Sequence, residues 1–173
     1  MRALLKAAGL LILGVGTIAT SVQARQNGGA EAFEKLKALA GHWESTTPGP
    51  MKSTLDIEVT SNGSAVLERL HAQEKSGTVE MVTMYYLDGG ELKLTHYCMA
   101  GNQPTMRGSY SPDTKTITFN FVSGTNLKNP NDGHMHHAVY TLVDNDHLKM
   151  VWTFQKDQKD GPTEEVEYVR TRS

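Results

Sequence analysis

The chain has 173 residues, with 17 basic against 19 acidic side chains and a formal net charge of −2. This length can bury the core of one globular domain, and 38% of the residues are hydrophobic. Because the sequence does not concentrate lysine or arginine in any segment, it lacks the electrostatic footprint of nucleic-acid binding, and we expect no nucleic-acid partner.

The first 24 residues have the pattern of a secretory signal peptide. Arg2 and Lys6 form a basic start, an uncharged apolar stretch follows, and Val22-Gln23-Ala24 supplies the small residues of a cleavage site. A membrane anchor is the alternative, but the apolar stretch is short for a span of about 20 residues. The sequence therefore predicts a signal peptide over 1–24 and a domain over 25–173, exported to the periplasm or secreted, with no stable membrane insertion after cleavage.

One helical pattern follows a short polar leader. Phe33, Leu36 and Leu39 recur at three- and four-residue spacing, with charged residues between them. This spacing predicts a helix of about ten residues that ends at Gly41, a glycine of the type found just after helix C-termini. The apolar side of this helix should pack against a larger structure.

From Trp43 onward the hydrophobic period changes to two. Leu55, Ile57 and Val59, for example, alternate with polar residues, as in a half-buried strand. The same pattern recurs along the chain and predicts about ten strands. The predicted strands cover residues 43–46, 54–60, 65–71, 79–87, 92–98, 106–110, 116–121, 135–143, 148–154 and 165–171.

Tight-turn residues separate these strands, among them Asn62-Gly63 and Asp160-Gly161-Pro162. Such short connections join antiparallel neighbours, because a parallel crossover needs a dozen or more residues. A meander of about ten strands is expected to close into a barrel, which removes both edges of the sheet. The sequence therefore predicts one all-β domain, an antiparallel up-and-down β-barrel with a short N-terminal helix.

The junction between the helix and the first strand reads Gly41-His42-Trp43. This G-x-W resembles the opening signature of lipocalin-like (calycin) barrels, in which the tryptophan plugs the closed end and an arginine of the last strand stacks on it. The resemblance implies that Arg170 or Arg172 forms a cation–π pair with Trp43. Barrels of this size can enclose one small ligand.

The strand count is more similar to nitrobindin-type barrels, which bind haem. Their G-x-W-x-G-x-G signature is half present, because residues 44–46 depart from it. Their axial histidine lies in the last strand, where this chain has Glu164 and Glu165, so the resemblance does not carry haem binding over. The segment 94–104 is also similar to uncharacterised exported bacterial proteins of this barrel type.

The predicted strand 92–98 places His96 and Cys98 on the inner face of the barrel. His96 can be a neutral core histidine paired with Tyr85, or it can contact a ligand. A metal role would require a third ligand. Cys98 is the one cysteine of the chain, so an internal disulfide is excluded, and a small buried residue is its commoner role.

A second histidine cluster occupies residues 134–137. His134 and His136 are two residues apart, so on a strand they share a face, as in strand-borne zinc pairs. A zinc site made from His96, His134 and His136 is therefore an alternative to ligand binding.

Two charged residues interrupt apolar strand patterns. Glu68 lies between Val66 and Leu70, and Arg107 follows Met106. If both side chains face the lumen, they must pair with each other or with a polar ligand, because an unpaired buried charge is too costly. A position at the barrel mouth, in contact with water, is the alternative.

These observations predict an exported protein that binds or carries a small apolar or amphipathic molecule. No catalytic residue and no cofactor are expected, with haem and zinc as alternatives. Two other functions stay open: a metal-assisted or acid–base barrel enzyme that uses His96 with His134 or His136, and a filled barrel that acts as an interaction domain. The expected ligand contacts are Glu68, Tyr85, His96, Cys98, Arg107, His136 and Trp152.

Overall fold

The computed structural model describes residues 28–47, 52–74 and 77–171. The predicted signal peptide over 1–24 and Arg172 lie outside the described residues. One helix, α1, spans residues 28–37, and a single 3-10 turn covers Ser61–Gly63. In these described ranges, no helix has both the length and the apolar character that a membrane span requires.

Ten strands follow α1 and account for most of the described chain. Each strand predicted from the period-two pattern is present, and several strands run longer than predicted. The strands are β1 (Gly41–Ser45), β2 (Ser53–Thr60), β3 (Ala65–Glu74), β4 (Gly77–Asp88), β5 (Glu91–Tyr97), β6 (Gln103–Ser111), β7 (Thr116–Thr125), β8 (His134–Leu142), β9 (His147–Lys156) and β10 (Lys159–Thr171).

The sheet closes on itself. Each strand pairs antiparallel with the next one along the chain, and β1 also pairs antiparallel with β10. Closure brings Trp43 opposite Arg170, although the two residues lie at opposite ends of the domain sequence. The predicted all-β, up-and-down barrel is therefore confirmed.

The helix lies earlier in the chain than the sequence predicts. α1 ends at residue 37, and backbone hydrogen bonds from Leu39 N–H to the Leu36 carbonyl and from Ala40 N–H to the Lys37 carbonyl, 3.0 and 3.2 Å long, form a turn that leads from α1 to β1. Gly41 is the first residue of β1, so its expected role as the residue after the helix is wrong. Its φ of +138° is a conformation that glycine adopts readily, and it lets the chain turn from the helix into the barrel.

Trp43 and Arg170 close the barrel end next to α1. The Trp43 side chain is fully buried, and its Nε1 donates a hydrogen bond of 2.8 Å to the carbonyl of Leu39. The Arg170 guanidinium carbon lies 4.2 Å from the centroid of the Trp43 ring. The predicted cation–π pair is therefore confirmed, with Arg170 as the partner.

Alternation along each strand decides which side chains face the lumen. In β5, Leu92, Leu94 and His96 are buried, while the intervening Lys93 and Thr95 are partly exposed. The inward orientation predicted for His96 is thus confirmed. The strand pattern fills most of the lumen with apolar side chains and leaves a few polar groups among them.

Candidate ligand site in the barrel lumen

A narrow cavity remains inside the barrel. The space between its lining side chains measures about 430 Å³, part of it open to solvent, and admits only a few water molecules as it stands. Most of the lining is apolar and includes flexible methionines, which can move aside for a slim ligand. The lining residues are Leu55, Glu68, Leu70, Met81, His96, Met135, Met150, Trp152, Glu164, Val166 and Tyr168.

Glu68 is the buried acid of this cavity. Tyr85 Oη donates a hydrogen bond of 2.7 Å to Glu68 Oε2, and Tyr85 Oη also lies 2.8 Å from Tyr140 Oη. Burial raises the pKa of Glu68 to about 7, although hydrogen bonds from Tyr85 and Thr83 lower it. The carboxyl group therefore changes charge near neutral pH, inside the site.

His96 is the buried base of the cavity. Its Nδ1 lies 3.0 Å from Thr83 Oγ1, and its ring centroid lies 4.9 Å from that of Trp152. Nε2 has no hydrogen-bond partner among the described residues. Burial lowers the pKa of His96 to about 4, so the imidazole is neutral at neutral pH.

Glu68, Thr83 and His96 form a row across β3, β4 and β5. Strand register places Glu68 opposite Thr83, and Thr83 opposite His96. While Glu68 is ionised, its carboxylate only accepts hydrogen bonds, so the Thr83 hydroxyl that lies opposite it donates its one proton to the carboxylate. Thr83 Oγ1 then accepts from Nδ1–H of His96. This tautomer leaves Nε2 of His96 as a hydrogen-bond acceptor at the cavity wall.

The structure brings together part of the predicted site. Glu68, His96 and Trp152 line the cavity, and Tyr85 lies directly behind Glu68. The expected pairing of His96 with Tyr85 is wrong, because the register sets Thr83 beside His96. Tyr85 lies two residue pairs further along the β4–β5 register, opposite Leu94, and its hydroxyl reaches Glu68 instead.

Arg107 lies outside the lumen. Its side chain is 50% exposed, and its Nε lies 3.2 Å from Glu91 Oε2. Arg107 therefore does not face the cavity or pair with Glu68, and its contact with water agrees with the alternative considered above. The reason is alternation: Met106 is fully buried, so the next residue along β6 points to solvent.

Cys98 is buried but does not line the cavity. It lies just beyond β5, where its backbone N–H donates to the Asn102 carbonyl at 3.1 Å and its carbonyl accepts from Gly101 at 2.9 Å. Burial raises the pKa of its thiol. Cys98 therefore belongs to the packing of a turn outside the lining of the lumen, and its predicted role as a small buried residue is confirmed.

His134 and His136 contact each other at the start of β8. Nε2 of His134 lies 3.1 Å from Nδ1 of His136, and both rings pack against Phe121. Burial lowers the pKa of the His136 imidazole, and the neighbouring His134 lowers it further. His136 is not among the residues that line the cavity, contrary to expectation.

A register shift between Met135 and His137 explains this placement of the histidines. The irregularity breaks the strict alternation of β8, and Met135 rather than His136 lines the cavity. Within residues 28–47, 52–74 and 77–171, no three His, Cys, Asp or Glu side chains are grouped to hold a metal ion. The histidines of β8 and His96 therefore do not form the zinc site considered above.

Two residues of the site are absent from the sequence-based prediction: Thr83, which supports His96 from outside the lining, and Tyr168, which lines the cavity. Thr83 has the same strand parity as Met81 and Tyr85, so alternation alone could have found it. Tyr168 was not expected in the site either, and its hydroxyl lies 2.9 Å from Ser53 Oγ. Its position follows from closure of the barrel, which a local pattern does not reveal.

The barrel is similar to a solved structure. The structure of Rv2717c from M. tuberculosis matches with a TM-score of 0.59 and 15% identity, over 82% of this chain and 98% of that chain. At this identity the likeness shows the fold alone. It fits a lipocalin-like barrel, while membership of the nitrobindin-type family stays a prediction. Neither a protein-family model nor a curated protein matches this sequence.

Proposed function

We propose that this protein binds a small, mostly apolar molecule in the lumen of its barrel. The observation that carries the proposal is Nε2 of His96, a buried atom without a hydrogen-bond partner in the described part of the chain. Buried polar groups in folded proteins are almost always paired. A molecule in the cavity, or a water that such a molecule displaces, would supply the partner.

The lining supports an elongated, flexible ligand. Met81, Met135 and Met150 surround the narrow space, and their unbranched side chains can repack around an inserted chain. Leu55, Leu70 and Val166 would contact its apolar body. A few polar groups set among apolar walls are typical of small-molecule sites.

Binding is favoured over acid–base catalysis by His96. A general base works best when its pKa lies near the working pH. Burial lowers the pKa of His96 to about 4, which makes the imidazole a weak base at neutral pH. The unpaired Nε2 of His96 also disfavours a barrel that is filled solid and acts through its surface, because a filled lumen would leave this atom without a partner among the described residues.

The signal-peptide pattern over residues 1–24 supports a location outside the cytoplasm. We propose that the protein acts after export, in the periplasm or outside the cell. Its role there would be to carry or sense its ligand.

Native mass spectrometry of the purified protein, followed by calorimetric titration with linear alcohols and amines, tests binding. We expect one bound molecule per chain. The Met81→Trp variant fills the cavity and should lose binding, whereas Met99→Trp, at a side chain that is 55% exposed, should retain it.

Thermal unfolding of both variants separates a blocked lumen from a failed fold. If no linear probe binds and the purified protein carries no small molecule, the proposal is wrong. Equal affinity in Met81→Trp and Met99→Trp would place binding outside the lumen and would also contradict it.

A further inference from the structure

We infer that the ligand carries a head group that donates a hydrogen bond, an alcohol or an amine, and that carboxylates such as fatty acids are excluded. This inference rests on the proposed function, because it names the chemistry of the molecule held in the same cavity. It follows from the direction of the hydrogen bonds around His96 and from the charges of the lining.

The hydrogen-bond direction is set from Glu68. An ionised carboxylate takes the Thr83 proton, and Thr83 in turn takes the Nδ1 proton of His96. A neutral imidazole with its proton on Nδ1 has a lone pair on Nε2. While Glu68 is ionised, the partner that Nε2 lacks among the described residues is therefore a donor.

The charges of the lining point the same way. Its ionisable side chains are Glu68, Glu164, His96 and Tyr168, and the described lining holds neither lysine nor arginine. A carboxylate ligand would lie near Glu68 without a cation to offset its charge, which is unfavourable in a buried site. A hydroxyl or an ammonium group avoids this repulsion, and an ammonium group is also attracted to Glu68.

The state of Glu68 should tune this preference. Tyr85 and Tyr140 of β4 and β8, His96 of β5, and Glu164 and Tyr168 of β10 are the titratable groups around it. A protonated Glu68 can donate to Thr83, and the Thr83 hydroxyl can then donate to Nδ1 of His96. The direction of the hydrogen bonds from Glu68 to His96 is then no longer fixed. The selectivity for donor head groups is therefore expected to be greatest where Glu68 is ionised.

The direct test compares decanol, decylamine, decanoate and decane by calorimetry at about pH 8, where a carboxyl group of pKa near 7 is mostly ionised. We expect both decanol and decylamine to bind at least about tenfold more tightly than decanoate and than decane, the range of one hydrogen bond to a buried group. Decanoate binding as tightly as both donors, or decane as tightly as decanol, would overturn the inference. In both cases binding as such would stand, whereas failure of all four probes would contradict the proposed function itself.

Two variants of Thr83 test the route from Glu68 to His96. Thr83→Ser keeps the hydroxyl and should retain the preference of decanol over decane. Thr83→Val removes the hydroxyl at nearly the same volume, so the His96 tautomer is no longer fixed and the preference should fall several-fold.

A variant of His96 tests the acceptor itself. His96→Phe should bind decane and decanol alike, because the acceptor is gone and the apolar walls remain. Cys98→Ser, two residues away and outside the lining, is the matched control and should retain the preference. An unchanged preference in folded His96→Phe, or equal loss in Thr83→Ser and Thr83→Val, would overturn the inference.

Discussion

The guanidinium of Arg170 lies over the buried indole of Trp43 and also donates to the carbonyls of the turn between α1 and β1. Its Nη2 lies 3.0 Å from the carbonyl oxygen of Ala38, and its Nη1 reaches the carbonyls of Leu39 and Ala40. One side chain of the last strand therefore holds both the first strand and the turn that follows the helix. This arrangement joins the two ends of the domain sequence, and the barrel depends on that closure.

Removing this side chain should weaken the whole fold. We expect Arg170→Met to lower the free energy of unfolding by about 2–4 kcal/mol, because it removes a cation–π contact and several charge-assisted hydrogen bonds. Arg170→Lys keeps the charge without the planar fork of donors and should recover only part of the loss. Urea unfolding measures the free energy of unfolding of both variants and of the wild type.

Arg69→Met is the matched control for Arg170. The Arg69 side chain is 44% exposed and lies 3.8 Å from Glu58, a surface ion pair of little expected value. Equal losses of stability in Arg69→Met and Arg170→Met would contradict the closing role of Arg170.

Glu68 should make the protein less stable as the pH rises through the acid range. Burial raises its folded-state pKa from 4.5 to about 7, so the folded protein retains a proton that the unfolded chain releases between these values. The contribution of Glu68 to the free energy of unfolding therefore falls over this window, by about 3 kcal/mol in total. Glu68→Gln, followed by urea unfolding from acid to neutral pH, should gain stability relative to wild type as the pH rises. A constant difference across the window would show that Glu68 does not titrate there.

His96 should act in the opposite direction. Burial lowers its folded-state pKa from 6.5 to about 4. At a pH between these values, the unfolded chain therefore binds a proton that the folded protein does not bind. The stability due to neutral His96 is present above 6.5 and is lost as the pH falls toward 4. His96→Gln should therefore lose stability relative to wild type as the pH rises, the reverse of Glu68→Gln. Two variants that shift in the same direction would contradict this assignment of charges in the lumen.

The barrel could be predicted from the sequence because its strands are half-buried. Residues such as Leu92 and Leu94 alternate with polar neighbours, and this local pattern identifies a strand without knowledge of its partners. The short turns then allow only antiparallel neighbours. The pairing of Trp43 with Arg170 needed the resemblance to lipocalin-like barrels, because no local pattern relates β1 to β10.

The site was less predictable, because it depends on which strands lie opposite each other and where alternation breaks. The partner of His96 is Thr83 rather than Tyr85 because the β4–β5 register sets it there. The irregularity in β8 brings Met135 rather than His136 into the lining, and a period-two pattern gives no signal for it. Arg107 is different, since strict alternation from Met106 already indicates an outward side chain.

Gly108 in β6 should tolerate no side chain. A Cβ at this position would lie 2.6 Å from Leu92 Cδ2 and 2.8 Å from Phe119 Cε1, and both neighbours are fully buried. We expect Gly108→Ala to lower the free energy of unfolding by about 1–3 kcal/mol through overpacking. Gly28→Ala, where a Cβ meets nothing within 4 Å, is the control and should change stability little. Equal stability of Gly108→Ala and wild type would mean that Leu92 and Phe119 can move aside for the added methyl group, and it would contradict this prediction.

The two tryptophans of the chain should report on the lumen differently. Trp152 lines the cavity beside His96, whereas Trp43 is fully buried under Arg170 at the closed end. A molecule that enters the lumen therefore changes the surroundings of Trp152 alone, and its emission should shift or quench on titration with decanol. Trp152→Phe should remove this response while the emission of Trp43 stays constant, and Trp43→Phe should retain it. If Trp43→Phe does not fold, Trp152→Phe decides alone: a full response in that variant would place the bound molecule away from the site built around His96.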